Sequence, residues 1–339
     1  MNSGAMGVET SPGRIALVAI GVSLLGSLFF SLTYVLNRAN ALDGGYWAWM
    51  ASLRYLITLP LMLPLVWWQG GARPVLRAIA AHPWAWIRCG AIGFVLFYSM
   101  LCFAAASGPA WLVAGTFLVA VVTGMLCAPF LYTDERRRIP RAGLVVAVVI
   151  LFGVLLMQVG YASWPLDGAA WLALACVLVA AFAFPLGNRL LLLHLERTGE
   201  DFNATQRVFG MTLASQPLWI LLAVYAGLRS GAPPVSQVWM AAAVALASGV
   251  IATILFFQAT GMVRNQPLAL GGVEAMQASE VLFAMLLGVL LLGESWPGLL
   301  STTGALVVIA GIVVFAWVAA RPAAGRARAV QALRTDKGG

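Results

Sequence analysis

The chain has 339 residues, of which 62% are hydrophobic and only 9% are charged, with a formal net charge of +8 at pH 7. A soluble domain has roughly 25% charged residues, so this composition excludes an ordinary soluble protein. It predicts an all-α integral membrane protein that crosses the bilayer many times. The positive charge does not indicate a nucleic-acid partner, because basic residues in membrane proteins usually mark cytoplasmic loops.

Apolar segments of membrane-spanning length follow one another along the whole chain. About 20 apolar residues span a bilayer as a helix, and clusters of glycine, proline and charge separate such segments. We expect ten transmembrane helices, the first of them retained because it is too long for a signal peptide. They are 15–36, 46–68, 84–106, 110–131, 141–160, 168–193, 205–228, 237–261, 267–292 and 297–319.

Basic residues are divided unequally between alternate loops. With the N-terminus inside, the outer loops contain only Arg38 and Arg229, and the inner loops and tails contain the rest of the loop arginines. The positive-inside rule therefore predicts cytoplasmic tails at 1–14 and 321–339. The C-terminal tail is basic, so it could also contact the anionic leaflet.

The sequence repeats weakly after five segments. "ASLRYLITLPLMLP" matches "ATQRVFGMTLASQP" and aligns Arg54 with Arg207. "SGPAWLVAG" matches "NQPLALGGV" and aligns Pro109 with Pro267. "VLNRANAL" matches "PLGNRLLL" in the same order.

An odd number of helices per repeat turns the second copy upside down in the membrane. We therefore expect two inverted five-helix repeats, at 15–160 and 161–320. Repeats of this kind place the substrate site near the bilayer midplane, where the two halves meet.

Several local strings resemble a known transporter family. They include "FFSLTYVLNR", "GGYWAWMASLRY", "GFVLFYSMLCFAAASGPAWLVAGT" and "VEAMQASEVLFA". The chain is similar over about 15–320 to the drug/metabolite transporter superfamily, in its ten-helix, EamA-like branch of putative multidrug resistance efflux transporters. The resemblance implies this fold, an inner-membrane location and secondary transport, and it identifies no substrate. The small four-helix exporters use a glutamate in their first helix, but the first segment here contains no acid.

Five charged residues lie inside or at the margin of apolar segments, where a charge at the bilayer centre costs roughly 2.5–3.5 kcal/mol on insertion scales. Arg189 is close to the end of its predicted segment, so we expect it to extend to the interface. Arg207, near the start of its segment, could do the same. Arg54 lies deeper, and we expect it to partner a carboxylate or backbone carbonyls.

Glu274 and Glu280 bracket the middle of the ninth segment, with Gln277 between them. On a regular helix the three form a slanted polar stripe. The first half has no matching acids, so we expect at least one of them to bind a proton or substrate. A buried carboxyl group has a raised pKa and can exchange a proton near neutral pH. The hypothesis is proton-coupled efflux of small organic compounds by alternating access.

Further cavity-lining candidates are polar or aromatic residues at membrane depth: Asn37, Tyr98, Trp111, Asn188 and Gln258. The alternative for each is a hydrogen bond between helices. Tyr98 and Trp111 could form an aromatic wall for an organic cation. If Arg54 and Arg207 reach the cavity, an anionic or zwitterionic metabolite fits better.

Other functions stay open at this level. The chain could be an amino-acid or other metabolite carrier that is not coupled through these acids. It could also be a non-transporting membrane subunit or sensor, in which the acids would be fully paired. We find no catalytic or metal-binding pattern and expect no enzyme activity, metal or cofactor. The expected partners are a small-molecule substrate, protons and membrane lipid, and the oligomeric state is undetermined.

Overall fold

The structure is a computed structural model that describes residues 12–107, 110–159, 168–292 and 298–320. Those residues are helical or in turns, with no strand. The helices are α1 (Pro12–Leu42), α2 (Trp47–Trp68), α3 (Arg73–Ala81), α4 (Pro83–Gly90), α5 (Phe97–Ser107), α6 (Ala110–Phe117), α7 (Ala120–Leu131), α8 (Arg141–Val159), α9 (Gly168–Thr198), α10 (Ala204–Ser230), α11 (Val235–Val244), α12 (Thr253–Met262), α13 (Pro267–Ala275), α14 (Ser279–Leu292) and α15 (Leu299–Ala320).

Nine stretches among the described residues are long and apolar enough to cross a membrane. Together with the composition, they make this a multi-pass membrane protein. The fourth predicted segment, 110–131, is not one of the nine, because it consists of the two short helices α6 and α7 with a turn at Leu118 and Val119. The expectation for the C-terminal tail, 321–339, lies outside the described residues, as does most of the N-terminal tail.

Local sequence signals fix the ends of several helices. Asn203 caps α10: its side chain accepts a hydrogen bond from the Gln206 backbone, and the Gln206 side chain accepts one from the Asn203 backbone. This reciprocal capping box satisfies two N–H groups that a helix start otherwise leaves without partners. Pro267 begins α13, a position where the missing N–H of proline costs nothing.

Helical irregularities occur at matching places in the two halves of the chain. A π-helical segment, Ala91–Leu96, joins α4 to α5, and another, Ala245–Ala252, joins α11 to α12. The break at Leu118 between α6 and α7 corresponds to the 3₁₀ turn Met276–Ala278 between α13 and α14. The offset that aligns Pro109 with Pro267 also aligns Leu118 with Met276. Such irregularities often mark hinges or functional sites in helices.

The connections between helices cluster at two ends of the bundle. At one end Asn203 Nδ2 donates to the Gln69 carbonyl oxygen at 2.7 Å, and Arg136 forms ion pairs with Asp134 and Glu196. The hydrogen bonds from Arg136 lower the pKa of the Asp134 carboxyl group. We call this the Arg-rich end; it comprises the connections 69–72, 132–140, 199–203 and 263–266.

The opposite end carries the connections 43–46 and 231–234. There Trp49 Nε1 donates to the Gly231 carbonyl oxygen at 2.9 Å, and Gln237 Nε2 donates to the Tyr46 carbonyl oxygen at 2.9 Å. The connections before and after each of α2, α10 and the 235–262 stretch therefore lie at different ends, as expected for helices that cross a membrane in alternating directions.

Close helix packing depends on small residues, as is usual in membranes. Gly187 of α9 faces Gly93 of the first π-helical segment, and a Cβ atom on Gly187 would overlap with the Gly93 backbone. Because a backbone cannot move aside as a flexible side chain can, the contact requires glycine at this position.

Gly187→Ala is therefore expected to destabilise the protein by about 1–3 kcal/mol, the usual cost of overpacking. Gly21→Ala in α1 is the matched control, because a Cβ there meets nothing within 4 Å. Thermal unfolding of the purified protein in detergent measures both. Equal unfolding temperatures for the two variants would contradict the prediction.

Candidate functional site

The two acids of the ninth segment have different surroundings. Glu274 forms a bidentate ion pair with Arg189: Nε donates to Oε1 at 3.0 Å and Nη2 donates to Oε2 at 2.8 Å. Both side chains are buried, with 1% of Glu274 and 3% of Arg189 exposed. A Cβ on Gly124 of α7 would overlap with the Glu274 carboxylate, so this glycine makes room for the pair. Glu274 is thus neutralised by a cation.

The expectation that Arg189 extends to the interface is wrong. The predicted segment ended at residue 193, but α9 continues to Thr198. Arg189 consequently lies more than two turns from the helix end, and its guanidinium turns inward to Glu274. The partner considered for the acids, Arg54 or Arg207, is not the one found for Glu274.

Glu280 has no cationic partner among the residues that the structure describes. Tyr34 donates its hydroxyl hydrogen to Glu280 Oε2 at 3.1 Å, and Oε1 has no hydrogen-bond partner. No ion pair within 4.0 Å involves Glu280 in the described part of the chain. The side chain is nonetheless buried, with 3% of the residue exposed. A carboxyl group buried with one hydrogen bond is unusual, because buried ionisable groups are normally paired.

The helix that carries the predicted stripe is not regular over its whole length. The 3₁₀ turn Met276–Ala278 lies between the two acids. A 3₁₀ helix has 3.0 residues per turn against 3.6 in an α-helix, and it rises further per residue. The turn therefore changes the angular and axial relation of Glu274 and Glu280. Glu274 pairs with Arg189 of α9, and Glu280 contacts Tyr34 of α1.

Glu280 lines a small chamber between the two halves of the chain, which we call the central chamber. Its free volume is about 20 Å³, roughly enough for one water molecule. Four phenylalanines contribute to its wall: Phe30, Phe97, Phe117 and Phe184. Its principal polar residues are Tyr34, Arg54, Tyr98, Ser248, Gln277 and Glu280. A solute of ordinary size can occupy the chamber only when the helices separate.

Arg54 is the cation of the central chamber. Its Nη2 donates to Ser248 Oγ, and its guanidinium lies over the Tyr98 ring, 3.9 Å from the centroid. Its Nε has no partner. Arg54 and Glu280 therefore share a chamber without forming an ion pair within 4.0 Å. The Tyr98 face proposed for a substrate cation is occupied by the protein's own arginine.

Several buried polar atoms at the chamber have no hydrogen-bond partner among the described residues. They are Thr33 Oγ1, Arg54 Nε, Tyr98 Oη, Gln277 Oε1 and Glu280 Oε1. Buried polar atoms in proteins are nearly always hydrogen-bonded, so a cluster of exceptions needs an explanation. Donors and acceptors that converge on one space are typical of a binding site for a polar solute.

The remaining predicted site residues are distributed over other places. Arg207 and Gln258 line a separate cavity of about 710 Å³ at the Arg-rich end. Asn188 Nδ2 donates to Thr260 Oγ1 at 3.0 Å, which is a contact between helices. Asn37 lies beside the Tyr98 hydroxyl. Trp111 belongs to α6, and its side chain lies outside the described residues.

Sequence reasoning missed Tyr34, Ser248 and the four phenylalanines of the chamber. Tyr34 had a signal, because it is a polar aromatic residue in the middle of an apolar stretch, three residues before Asn37. Ser248 and the phenylalanines had none, since serine and phenylalanine are common in membrane helices. Only the packing of α1, α5, α6, α9 and the second π-helical segment brings them together.

The comparison with known families agrees with this architecture. The family model "EmrE: Putative multidrug resistance efflux transporter" matches residues 17–321. The chain belongs to this family. The resemblance seen in the sequence is thereby confirmed, and the family is one of transporters rather than enzymes.

Two curated relatives of this family member are similar over most of their length. "Uncharacterized protein YjlA" of Bacillus subtilis is 43% identical over 306 residues, covering 87% of this chain and 93% of its own. "Uncharacterized 42.1 kDa protein in intracellular alkaline protease 3'region" of Shouchella clausii is 37% identical over 268 residues, covering 77% of this chain and 70% of its own.

One solved crystal structure shares the fold. It superposes with a TM-score of 0.67 over 89% of this chain and 97% of its own, at 17% sequence identity. At that identity the likeness shows the fold alone.

Proposed function

We propose that this EmrE-family protein is a proton-coupled secondary transporter that exports a small polar solute through the central chamber. The observation that carries the proposal is the pair of opposite charges, Arg54 and Glu280, buried in one chamber without neutralising each other. A buried charge that lacks a partner costs several kcal/mol. Such a cost is expected where a substrate or proton supplies the missing partner, and intramembrane ionisable residues are functional-site candidates by default.

Glu280 is the better candidate for the proton-binding group. Both carboxylate oxygens of Glu274 accept hydrogen bonds from Arg189, so Glu274 already has a partner within the protein. Glu280 has only the Tyr34 hydroxyl as a partner. It can take up a proton when the chamber faces an acidic compartment and release it to the cytoplasm. The other titratable groups that line the chamber are Tyr34, Arg54 and Tyr98.

Alternating access would use the two halves as rocking units. The matching π-helical segments and matching breaks support a common origin of the halves and supply hinge points. A Cβ on Gly249 would meet Thr58, and a Cβ on Gly93 would meet Met211; the alignment of Arg54 with Arg207 also aligns Thr58 with Met211. Corresponding contacts therefore recur in both halves. This supports the inverted repeats, although the described residues give nine candidate spans rather than ten.

The substrate class follows from the charges in the chamber. Arg54 would bind an anionic group and Glu280, when ionised, a cationic one. A zwitterionic or anionic metabolite therefore fits better than an organic cation. The four phenylalanines of the wall favour a solute that also has an apolar part. An organic cation is the second candidate, favoured by the absence of a cationic partner for Glu280.

We place the protein in the cytoplasmic membrane with both termini inside. The Arg-rich end would face the cytoplasm, as the positive-inside rule requires. That end also has the wide cavity of about 710 Å³, whereas the central chamber has a free volume of only about 20 Å³. The arrangement is the one expected of an exporter that receives its substrate from the cytoplasm.

Solute-driven proton movement tests the proposed function. Purified protein in proteoliposomes that contain a pH-sensitive dye is exposed to three solute classes: amino-acid zwitterions, aromatic monocarboxylates and aromatic monovalent cations. We expect zwitterions or carboxylates to change the internal pH beyond the change in protein-free liposomes. If no class moves protons and no class raises the unfolding temperature, the transporter assignment of this chamber is wrong.

A further inference from the structure

The wide cavity at the Arg-rich end contains a buried arginine with free hydrogen-bonding groups. Arg207 is 4% exposed and lines the cavity. Its Nη2 donates to the Phe257 carbonyl oxygen, while its Nε and Nη1 have no hydrogen-bond partner in the described part of the chain. A guanidinium group presents its donors in a fixed planar fork that fits a carboxylate or phosphate group. The unused donors therefore define the chemistry of a ligand.

The charge around Arg207 is not balanced by acids. No ion pair within 4.0 Å involves Arg207 in the described part of the chain. The acid that lines the cavity, Asp201, is 4.0 Å from Arg264 and its side chain is 92% exposed. That exposed pair offsets one positive charge and leaves the charge of Arg207. The cavity thus has a net positive charge from the residues that line it.

The surroundings of Arg207 hold the guanidinium in place. A Cβ on Gly261 would meet its Nη2 atom, so glycine at this position leaves the space that the arginine fills. The Phe257 ring lies 5.7 Å from the guanidinium carbon. The other polar side chains of the cavity are the hydroxyl group of Thr205 and five amides: Gln69, Asn203, Gln258, Asn265 and Gln266.

We propose that this cavity is a binding site for the anionic group of a small solute, a carboxylate or a phosphate, with Arg207 as the binding cation. The site is separate from the central chamber, which holds Arg54. Arg54 and Arg207 are aligned residues of the two halves. The first half therefore contributes an arginine to the central chamber, and the second half contributes one to this cavity. The site does not depend on Glu280 carrying a proton.

A charge-selective labelling experiment tests the site without a transport assay. Gln258→Cys places a thiol on an exposed residue of the cavity. The protein in phosphatidylcholine vesicles is treated with an anionic or a cationic methanethiosulfonate reagent, and peptide mass spectrometry separates the introduced thiol from the four native cysteines. The measured quantity is the labelling rate of the anionic reagent divided by that of the cationic reagent. We expect this ratio to be several-fold higher for the introduced thiol than for a free thiol in solution.

The arginine variants decide whether Arg207 is responsible. Arg207→Gln should abolish the preference for the anionic reagent, whereas Arg207→Lys, which keeps the charge, should retain it. Arg77→Gln, on the exposed face of α3, is the matched control and should leave the preference unchanged. Equal preferences in the unsubstituted background and in Arg207→Gln would overturn the proposal, as would failure of both reagents to react.

Protection by simple anions tests binding itself. Benzoate or inorganic phosphate should slow labelling in a saturable way when Arg207 is present. Neither anion should slow it in the Arg207→Gln variant. A second set of vesicles containing phosphatidylglycerol distinguishes a soluble anion from a lipid headgroup. Protection by the anionic lipid alone would overturn the proposal. If no solute moves protons but simple anions still protect the introduced thiol, the coupling mechanism is wrong and the anion site of Arg207 is supported.

Discussion

Glu280→Gln is expected to abolish proton-coupled transport and leave the protein folded. Glutamine has nearly the shape of the protonated acid and can accept the Tyr34 hydrogen bond, but it cannot release a proton. No cation within 4.0 Å depends on Glu280 among the described residues, so the substitution leaves no unpaired charge. In proteoliposomes, the solute-driven change of internal pH should fall to the level of protein-free liposomes. Exchange of solute across the membrane at equal pH should continue.

Two comparisons make this result specific. Glu196→Gln alters an exposed acid at the Arg-rich end and should leave proton movement unchanged. Tyr34→Phe removes the single hydrogen bond to Glu280 and should shift the pH at which transport is half-maximal without abolishing transport. Proton movement at the unsubstituted rate in Glu280→Gln would show that the proton is carried elsewhere.

Glu274→Gln is expected to have the opposite phenotype, although the substitution is the same and the residues are six positions apart. It leaves Arg189 charged and buried without its partner. Removing one member of a buried ion pair costs about 3–5 kcal/mol, so we expect a marked fall in the temperature of thermal unfolding in detergent. Arg189→Gln should cause a similar loss, because it leaves the Glu274 carboxylate unpaired.

The double variant completes a thermodynamic cycle. Arg189→Gln combined with Glu274→Gln leaves two neutral amides that can bond to each other, so it should recover most of the stability lost in either single variant. The control is the pair Arg136–Glu196, whose side chains are 18% and 25% exposed; breaking it by Glu196→Gln should cost less, about 1 kcal/mol. Additive losses in the double variant would mean that the pair does not stabilise the fold as a unit.

Much of the fold could be predicted from the sequence, because the bilayer imposes a strong constraint. A spanning helix must satisfy its own backbone hydrogen bonds and present apolar side chains over its whole length. Segments such as 46–68 and 267–292 can therefore be predicted from their length and composition. The break at Leu118 and Val119 was not predicted, because these two residues include no proline, glycine or charge.

The candidate site was predictable only in part. Acids and arginines in apolar segments are rare enough to be selected directly, and the structure brings Arg54, Gln277 and Glu280 to one chamber. Their pairing was not predictable. Arg189 was expected at the interface because the end of its helix was predicted five residues too early. Those five residues are about one and a half helical turns, and they place the guanidinium deep enough to meet Glu274 instead of water.

The sequence by itself determined the class of protein, the family and the short list of ionisable residues inside the membrane. Hydropathy and composition carry that information locally, so it needs no knowledge of which helices touch. Only the tertiary structure decided that Glu274 is neutralised by Arg189, that Glu280 is not neutralised, and that Arg54 and Arg207 lie in different cavities. Electrostatic interactions depend on distances between residues that are far apart in the chain, and the packing of the helices sets those distances.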